Sequence, residues 1–273
     1  MTPPPAEPAV EPRQAATVLL LRDGASGLEV YLLRRTKGMP FAGGMTAYPG
    51  GGVDPRDADI EIGWAGPTPA EWARAFGCDE PLARELVCAA VRETFEEAGV
   101  LLAGPAEGTV VPDVSGDDWE EQRQALLTRE LSLSELLADR GLVLRSDLLR
   151  PFAHWITPPM ESRRYDTKFF VAALPAGQEA RDVSGEADEA AWLAPAAALE
   201  EHWAASRPML PPTSHTLSQL GRFPDVAAAL AGSPPDPLEP IMPTFQEDDG
   251  GRWAVLPDGT RVRLVVPLPS EQR

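Results

Sequence analysis

The sequence predicts an α/β protein. Short apolar runs of strand character interleave with longer stretches of helical periodicity, the pattern of a layered α/β or α+β chain. Hydrophobic residues make up 43% of the 273, which supports a sizeable core in one large domain or in one domain with an extension. No internal repeat divides the chain.

The first twelve residues, MTPPPAEPAVEP, are proline-rich and are expected to form a disordered, extended lead-in. They carry neither a basic opening nor an apolar stretch, so no secretory signal is expected and a cytoplasmic address is the default. Ala15 to Leu21 and Glu29 to Leu33 are apolar runs separated by Asp23, Gly24 and Gly27, and they read as a hairpin. Arg34, Arg35 and Lys37 follow, then a loop through Gly43 and Gly44, a short strand-like Met45 to Tyr48, and the turn-rich Pro49-Gly50-Gly51-Gly52-Val53-Asp54.

Thr68-Pro69-Ala70-Glu71 is a capping box with proline at the first helical position, so a short helix to about Phe76 is expected. Glu80 to Ala98 lacks interior glycine and carries Leu82, Leu86, Cys88, Ala89 and Val91 among charges. It predicts a helix that stops at Gly99. Trp119 to Leu127 and Ser134 to Asp139 are also helical in pattern, the second opened by Ser132 with Glu135. Phe152 to Thr157, Phe169 to Leu174 and Ala190 to Leu193 predict strands. Ala196 to Ser206 and Ser214 to Phe223 turn helical again, and after a proline-rich connector Trp253 to Leu256 and Arg261 to Val266 flank Pro257-Asp258-Gly259 as a terminal hairpin.

Composition excludes several functions. The formal charge of −18 argues against a DNA or general RNA partner, because neutralising phosphates requires a basic surface. An anionic substrate would need a bound cation to bridge it to the protein's carboxylates. No run reaches the roughly 18 apolar residues of a membrane span, and no membrane partner is expected. Cys78 and Cys88 fit neither a disulfide framework nor a zinc pattern and are expected to be structural thiols. His154, His202 and His215 share no metal-binding spacing and receive no catalytic role. Gly50-Gly51-Gly52-Val53-Asp54-Pro55 lacks the last glycine of a dinucleotide fingerprint, and no phosphate-binding G-x-x-x-x-G-K-[ST] occurs.

The chemistry concentrates in Arg92-Glu93-Thr94-Phe95-Glu96-Glu97-Ala98-Gly99-Val100. At about 100° per helical residue, Glu93, Glu96 and Glu97 fall within roughly a 100° arc of one face. Three converging carboxylates repel unless a hard cation sits between them, and oxygen donors of this kind suit Mg²⁺ or Mn²⁺. On spacing alone, a solvated acidic face explains the same pattern.

Together with the upstream Pro49-Gly50-Gly51, that run resembles the Nudix box, G-x5-E-x7-R-E-U-x-E-E-x-G-U with U apolar. Arg92, Glu93, Glu96, Glu97, Gly99 and Val100 match it, with Thr94 at an apolar position. The resemblance implies an α/β/α sandwich with a mixed sheet, Glu93, Glu96 and Glu97 as metal ligands for Mg²⁺ or Mn²⁺, and Arg92 orienting the acids. Two features depart from the box. Asp57 stands where the first glutamate belongs, with Glu85 as its competitor, and 34 residues rather than 7 separate Asp57 from Arg92. An insertion at about 58–84 is therefore expected to loop out. The implied organisation is a Nudix domain over 13–200 and an extension over 201–273, packed on its own chain or swapped in a homodimer.

Trp155-Ile156-Thr157-Pro158, Arg163-Arg164-Tyr165-Asp166-Thr167-Lys168-Phe169-Phe170 and Trp192-Leu193-Ala194-Pro195 extend the resemblance to the branch of the coenzyme A diphosphatases and their bacterial relatives. Their coenzyme A signature is partly kept: Thr36 stands for its serine and Gly44 and Tyr48 align, but Met39-Pro40 replaces its leucine and arginine. The implied activity is hydrolysis of the diphosphate bond in a small nucleotide substrate, with coenzyme A or its esters, ADP-ribose, NADH and dinucleoside polyphosphates as alternatives. Arg34, Arg35, Gly50, Gly51, Arg164 and Tyr165 are the expected substrate contacts, with Arg163, Lys37 and Lys168 as further phosphate clamps and Tyr165 or Phe169 stacking on a base. The general base is Glu93 or an acid of Glu186, Asp188 and Glu189. A non-catalytic nucleotide sensor of the same fold is the alternative, and action on capped RNA sits poorly with the charge.

Overall fold

The computed structural model describes residues 10–39, 42–181, 185, 187–232, 234 and 237–265. Most of the proline-rich lead, Pro40, Glu186 and Val266 lie outside them. The elements in chain order are β1 (Arg13–Gly24), β2 (Gly27–Arg35), β3 (Thr46–Ala47), β4 (Gly50–Gly52), β5 (Trp64–Ala65), α1 (Pro69–Phe76), α2 (Glu80–Ala98), β6 (Ala103–Gly104), α3 (Asp117–Leu127) and α4 (Leu133–Asp139). Then come β7 (Val143–Arg145), β8 (Leu149–Ile156), β9 (Tyr165–Ala173), β10 (Ala187–Leu193), α5 (Pro195–Trp203), α6 (Pro211–Leu220), α7 (Val226–Ala231), β11 (Pro240–Ile241), β12 (Thr244–Asp248), β13 (Gly251–Val255) and β14 (Arg261–Arg263).

The local signals behave as their chemistry requires. Thr68 accepts the Glu71 amide and Glu71 answers the Thr68 amide, closing the capping box of α1. Asp79 caps α2 through the Leu82 amide, and Gly99, in the left-handed region at φ 64°, ends that helix with its amide on the Phe95 carbonyl. β1 and β2 meet in a hairpin whose register pairs Gly24 with Gly27.

The main sheet runs β10-β2-β1-β9-β8-β11, with β3 on β2 and β4 on β1. It is mixed: β1 pairs β9 in parallel, and β11 pairs β8 in parallel. Because side chains alternate across a strand, β1 sends Val18 and Leu20 to one face and Leu19 and Leu21 to the other. The first face packs on α1 and α2 through Trp72, Phe76, Leu86, Val87 and Val91. The second packs on α5, α6 and α7 and on the terminal strands through Ala198, Leu217, Leu220, Ala229, Ala254 and Val262. This is the α/β/α sandwich, with a core on each side of one sheet.

Two expectations need correction. The insertion is not an external decoration. Its helix α1 buries Trp72 and Phe76, whose ring centroids lie 5.5 Å and 5.1 Å from that of Phe170 on β9, and β5 joins β7 and β6 in a small second sheet. The terminal hairpin is also larger than expected, since β12 adds to β13 and β14 in a three-stranded sheet. From the extension, β11 continues the main sheet at β8. No described helix is long and apolar enough to cross a membrane.

Candidate active site

The Glu93 helix and the glycine strand β4 lie side by side in the wall of a cleft of about 620 Å³. Its centre is Arg92, which is only 5% exposed. Nε and one terminal nitrogen grip Asp57 with two bonds of 2.9 Å. The other terminal nitrogen donates to Glu93 Oε1 at 2.7 Å and to Glu96 Oε2 at 3.1 Å, and a fifth bond of 3.0 Å reaches the Gly52 carbonyl. All five donors of the guanidinium are thereby used. Burial works against this cation, but Asp57, Glu93 and Glu96 outweigh it and keep Arg92 charged.

Of the two candidates for the first acidic position, Asp57 is the one bonded to Arg92. Asp57 is 3% exposed and belongs to a 3₁₀ turn, Pro55–Ala58, capped by Asp54. Its Oδ2 also accepts the Asp54 amide at 2.8 Å, so the turn aims the carboxylate at Arg92. Glu85 is half-buried on α2 and, like Asp57, is not among the residues lining the cleft.

The acids of α2 sit close against the glycine strand. Glu97 Oε2 accepts the Gly50 amide at 2.9 Å, and Gly51 leaves space for the Glu93 carboxylate. Burial pushes Glu93 up to about 7, with Arg92 opposing it and Glu96 adding to it, and burial raises Glu96 as well. Arg123, itself buried, donates to the Glu96 carbonyl at 2.7 Å and ties α3 to the end of α2.

In the present side-chain arrangement no three His, Cys, Asp or Glu groups among the described residues stand in ion-holding geometry. Arg92 takes one oxygen each from Glu93 and Glu96. The donor set nonetheless fits a hard divalent cation: three carboxylates on one helix face, lining one cleft, two of them raised by burial.

Of the expected substrate contacts, Arg35, Gly50, Gly51 and Tyr165 line the cleft. The Nε of Arg35 is buried without a hydrogen-bond partner. Arg34 and Arg164 are elsewhere. Arg34 faces Glu189, 3.9 Å away, where β2 pairs with β10, and Arg164 donates to the carbonyls of Thr157 and Val10. Lys168, expected as a phosphate clamp, is 2% exposed and bonded to Asp166 and His154. The alternation of β9 accounts for this, since Tyr165, Thr167 and Phe169 line the cleft whereas Lys168 and Phe170 are not among its walls. Arg163 is exposed and does not line the cleft.

Neither Asp188 nor Glu189 lines the cleft, and Glu189 pairs with Arg207 at 2.6 Å. Glu186 lies outside the described residues. Burial lifts the Cys88 thiol to about 12 and also raises Cys78, as suits structural thiols. None of the three histidines lines the cleft.

Sequence reasoning missed the basic rim. Arg13, Arg56 and Arg129 line the cleft. Arg56 holds Asp54 down to about 2 and also bonds the Leu131 carbonyl. Arg129, in the left-handed region at φ 64°, reaches Asp54 at 3.5 Å. Only the adjacency of Arg56 to Asp57 in sequence hinted at this. Arg129 arrives from the end of α3, and no local pattern marks it.

Comparison with known proteins places this geometry. Residues 78–220 match the family model of the NUDT19 Nudix domain. The chain is 24% identical over 246 residues to the acyl-coenzyme A diphosphatase NUDT19 of Xenopus laevis, covering 74% of this chain and 62% of that protein. It is 29% identical over 267 residues to the protein of the same description in Gallus gallus, covering 77% of this chain and 68% of that one. The chain thus spans about two thirds of the length of these relatives. Among solved structures, a NUDIX hydrolase from Alicyclobacillus acidocaldarius superposes with a TM-score of 0.70 at 30% identity, over 82% of this chain and 97% of that one.

Proposed function

The chain belongs to the Nudix superfamily, in the NUDT19 branch, and from that membership we propose that it is a divalent-metal-dependent hydrolase that splits the diphosphate of coenzyme A or its acyl esters. The observation that carries this reading is the Arg92 clamp: Arg92 lines the cleft beside Glu93 and Glu96, bonds to both, and is itself held by the buried Asp57.

Glu93, Glu96 and Glu97 would hold Mg²⁺ or Mn²⁺, whose chemistry there is to neutralise the diphosphate oxygens. The chain's own residues do the rest. Water attacks one phosphorus, the bridging P–O bond breaks, and two phosphomonoesters leave. Glu93 receives the proton of that water, because its carboxylate is raised by burial and stands in the cleft where Asp188 and Glu189 do not. Arg92, fixed by five bonds, positions Glu93 and Glu96. Arg13 and Arg35 supply cationic contacts for phosphate oxygens in a chain whose net charge of −18 would otherwise repel them, and Arg56 and Arg129, engaged with Asp54, add positive charge at the rim.

The test is a panel of coenzyme A, an acyl-coenzyme A, ADP-ribose and NADH with Mg²⁺ or Mn²⁺, run on the wild type and on Glu96→Gln and Glu97→Gln. Hydrolysis is expected to be strongest on the coenzyme A species and to fall by about 10²-fold or more in each variant with folding retained. Near-normal metal-dependent rates in both variants would remove the assignment. Nucleotide binding without turnover by the wild type would favour the sensor instead.

A further inference from the structure

A side chamber adjoins the cleft. A cavity of about 90 Å³ shares Thr157, Thr167, Phe169, Leu210 and Pro212 with the cleft lining, so the two spaces adjoin along these residues. Its far walls include Trp155 and Ile156 from β8, and Pro243 and Phe245 from the chain entering and opening β12. Pro243 and Phe245 lie beyond residue 220, where the match to the family model ends. The C-terminal sheet therefore reaches back to the cleft.

We propose that this chamber receives the apolar end of the substrate, a short aliphatic acyl group, and that Phe245 and Pro243 limit the chain length accepted. The inference rests on the hydrolase reading above and assigns the C-terminal sheet a part in specificity. The walls are mainly aromatic, aliphatic and proline side chains, with the hydroxyls of Thr157 and Thr167, the carboxylate of Glu161 and the indole N–H of Trp155 as their polar groups. A nucleobase would bring several hydrogen-bonding edges into such a wall, most of them without a partner. Size points the same way. An apolar cavity of about 150 Å³ holds one benzene ring, so this chamber is too small for a purine and, in proportion, suits an aliphatic group of about four carbons. Each methylene buried there improves kcat/KM about fourfold.

The experiment compares kcat/KM for coenzyme A, butanoyl-coenzyme A and dodecanoyl-coenzyme A in the wild type, Phe245→Ala and Phe245→Trp, with thermal melting to confirm folding. Leu210→Phe, which narrows the chamber from the α6 side, is the further variant should those at Phe245 unfold. In the wild type, butanoyl-coenzyme A, with three apolar carbons to bury, is expected to exceed coenzyme A by up to about 60-fold and to exceed dodecanoyl-coenzyme A. Phe245→Ala narrows the butanoyl-to-dodecanoyl ratio by at least about fourfold, and Phe245→Trp or Leu210→Phe brings the butanoyl-to-coenzyme A ratio toward one. Turnover with ratios unmoved in every folded variant, or equal wild-type rates on both esters, overturns the chamber assignment alone. No wild-type turnover of any of the three overturns the hydrolase reading and this inference with it.

Discussion

Gly51 stands directly against Glu93: a Cβ built on the glycine would lie 2.5 Å from Glu93 Oε1 and 2.6 Å from its Cδ. The glycine strand therefore does more than turn the chain. By lacking a side chain it lets α2 bring an acid up to the backbone of β4, beside the Gly50 amide that holds Glu97.

Gly51→Ala should displace the Glu93 carboxylate while leaving the sheet paired, since Gly51 lies in β4 opposite Ala16 of β1. A displacement of about 1 Å in a catalytic group costs about 10²-fold, so kcat is expected to fall by that order with the circular dichroism spectrum unchanged. Wild-type kcat in the folded variant would show that Glu93 does not need this position.

Asp57 and Glu85 can be ranked by stability. Removing Asp57 leaves the buried Arg92 without its bidentate partner, and breaking a buried pair typically costs about 3–5 kcal/mol. Asp57→Ala should lose stability on that scale in urea unfolding, whereas Glu85→Ala, at a half-buried position outside the cleft lining, should stay within about 1 kcal/mol. The opposite order would hand the first acidic position to Glu85.

The raised Glu93 carboxyl predicts a particular pH dependence. Its folded value of about 7 lies above the ordinary unfolded value of about 4.3, so the folded state binds more protons than the unfolded one in that window. Stability of the metal-free protein should then fall as pH rises from about 4.3 to about 7. Mg²⁺ or Mn²⁺ should raise the melting temperature more at about pH 8 than at about pH 5, because the carboxylates must be ionised to ligate. Glu93→Gln should flatten the metal-free profile. A metal-free profile that rises through that window in the wild type, or one that Glu93→Gln leaves unchanged, would refute the burial argument.

Much of the fold was legible because its signals are local. Thr68 with Glu71 and Ser132 with Glu135 are capping boxes that act within one helical turn, and both form. The Glu80–Ala98 helix and its Gly99 stop were readable because periodicity and a left-handed cap are properties of neighbouring residues. The acids of that helix were legible for the same reason: a fixed rotation per residue puts Glu93, Glu96 and Glu97 on one face. The basic side chains were not. Arg34, Arg164 and Lys168 looked available in sequence, but Glu189, two backbone carbonyls and the pair Asp166 and His154 claim them in the folded chain.

The sequence by itself determined the capped helices, the longer strands of the main sheet and the face on which the acids of α2 lie, because hydrogen-bond capping and helical pitch act over a few residues. Only the tertiary structure decided that Asp57 rather than Glu85 meets Arg92 across 35 positions, that Arg13, Arg56 and Arg129 rim the cleft, and that Phe245 from the C-terminal sheet walls its side chamber. Those outcomes depend on which distant side chains compete for the same buried partners, and that competition is settled only when both cores close on the sheet.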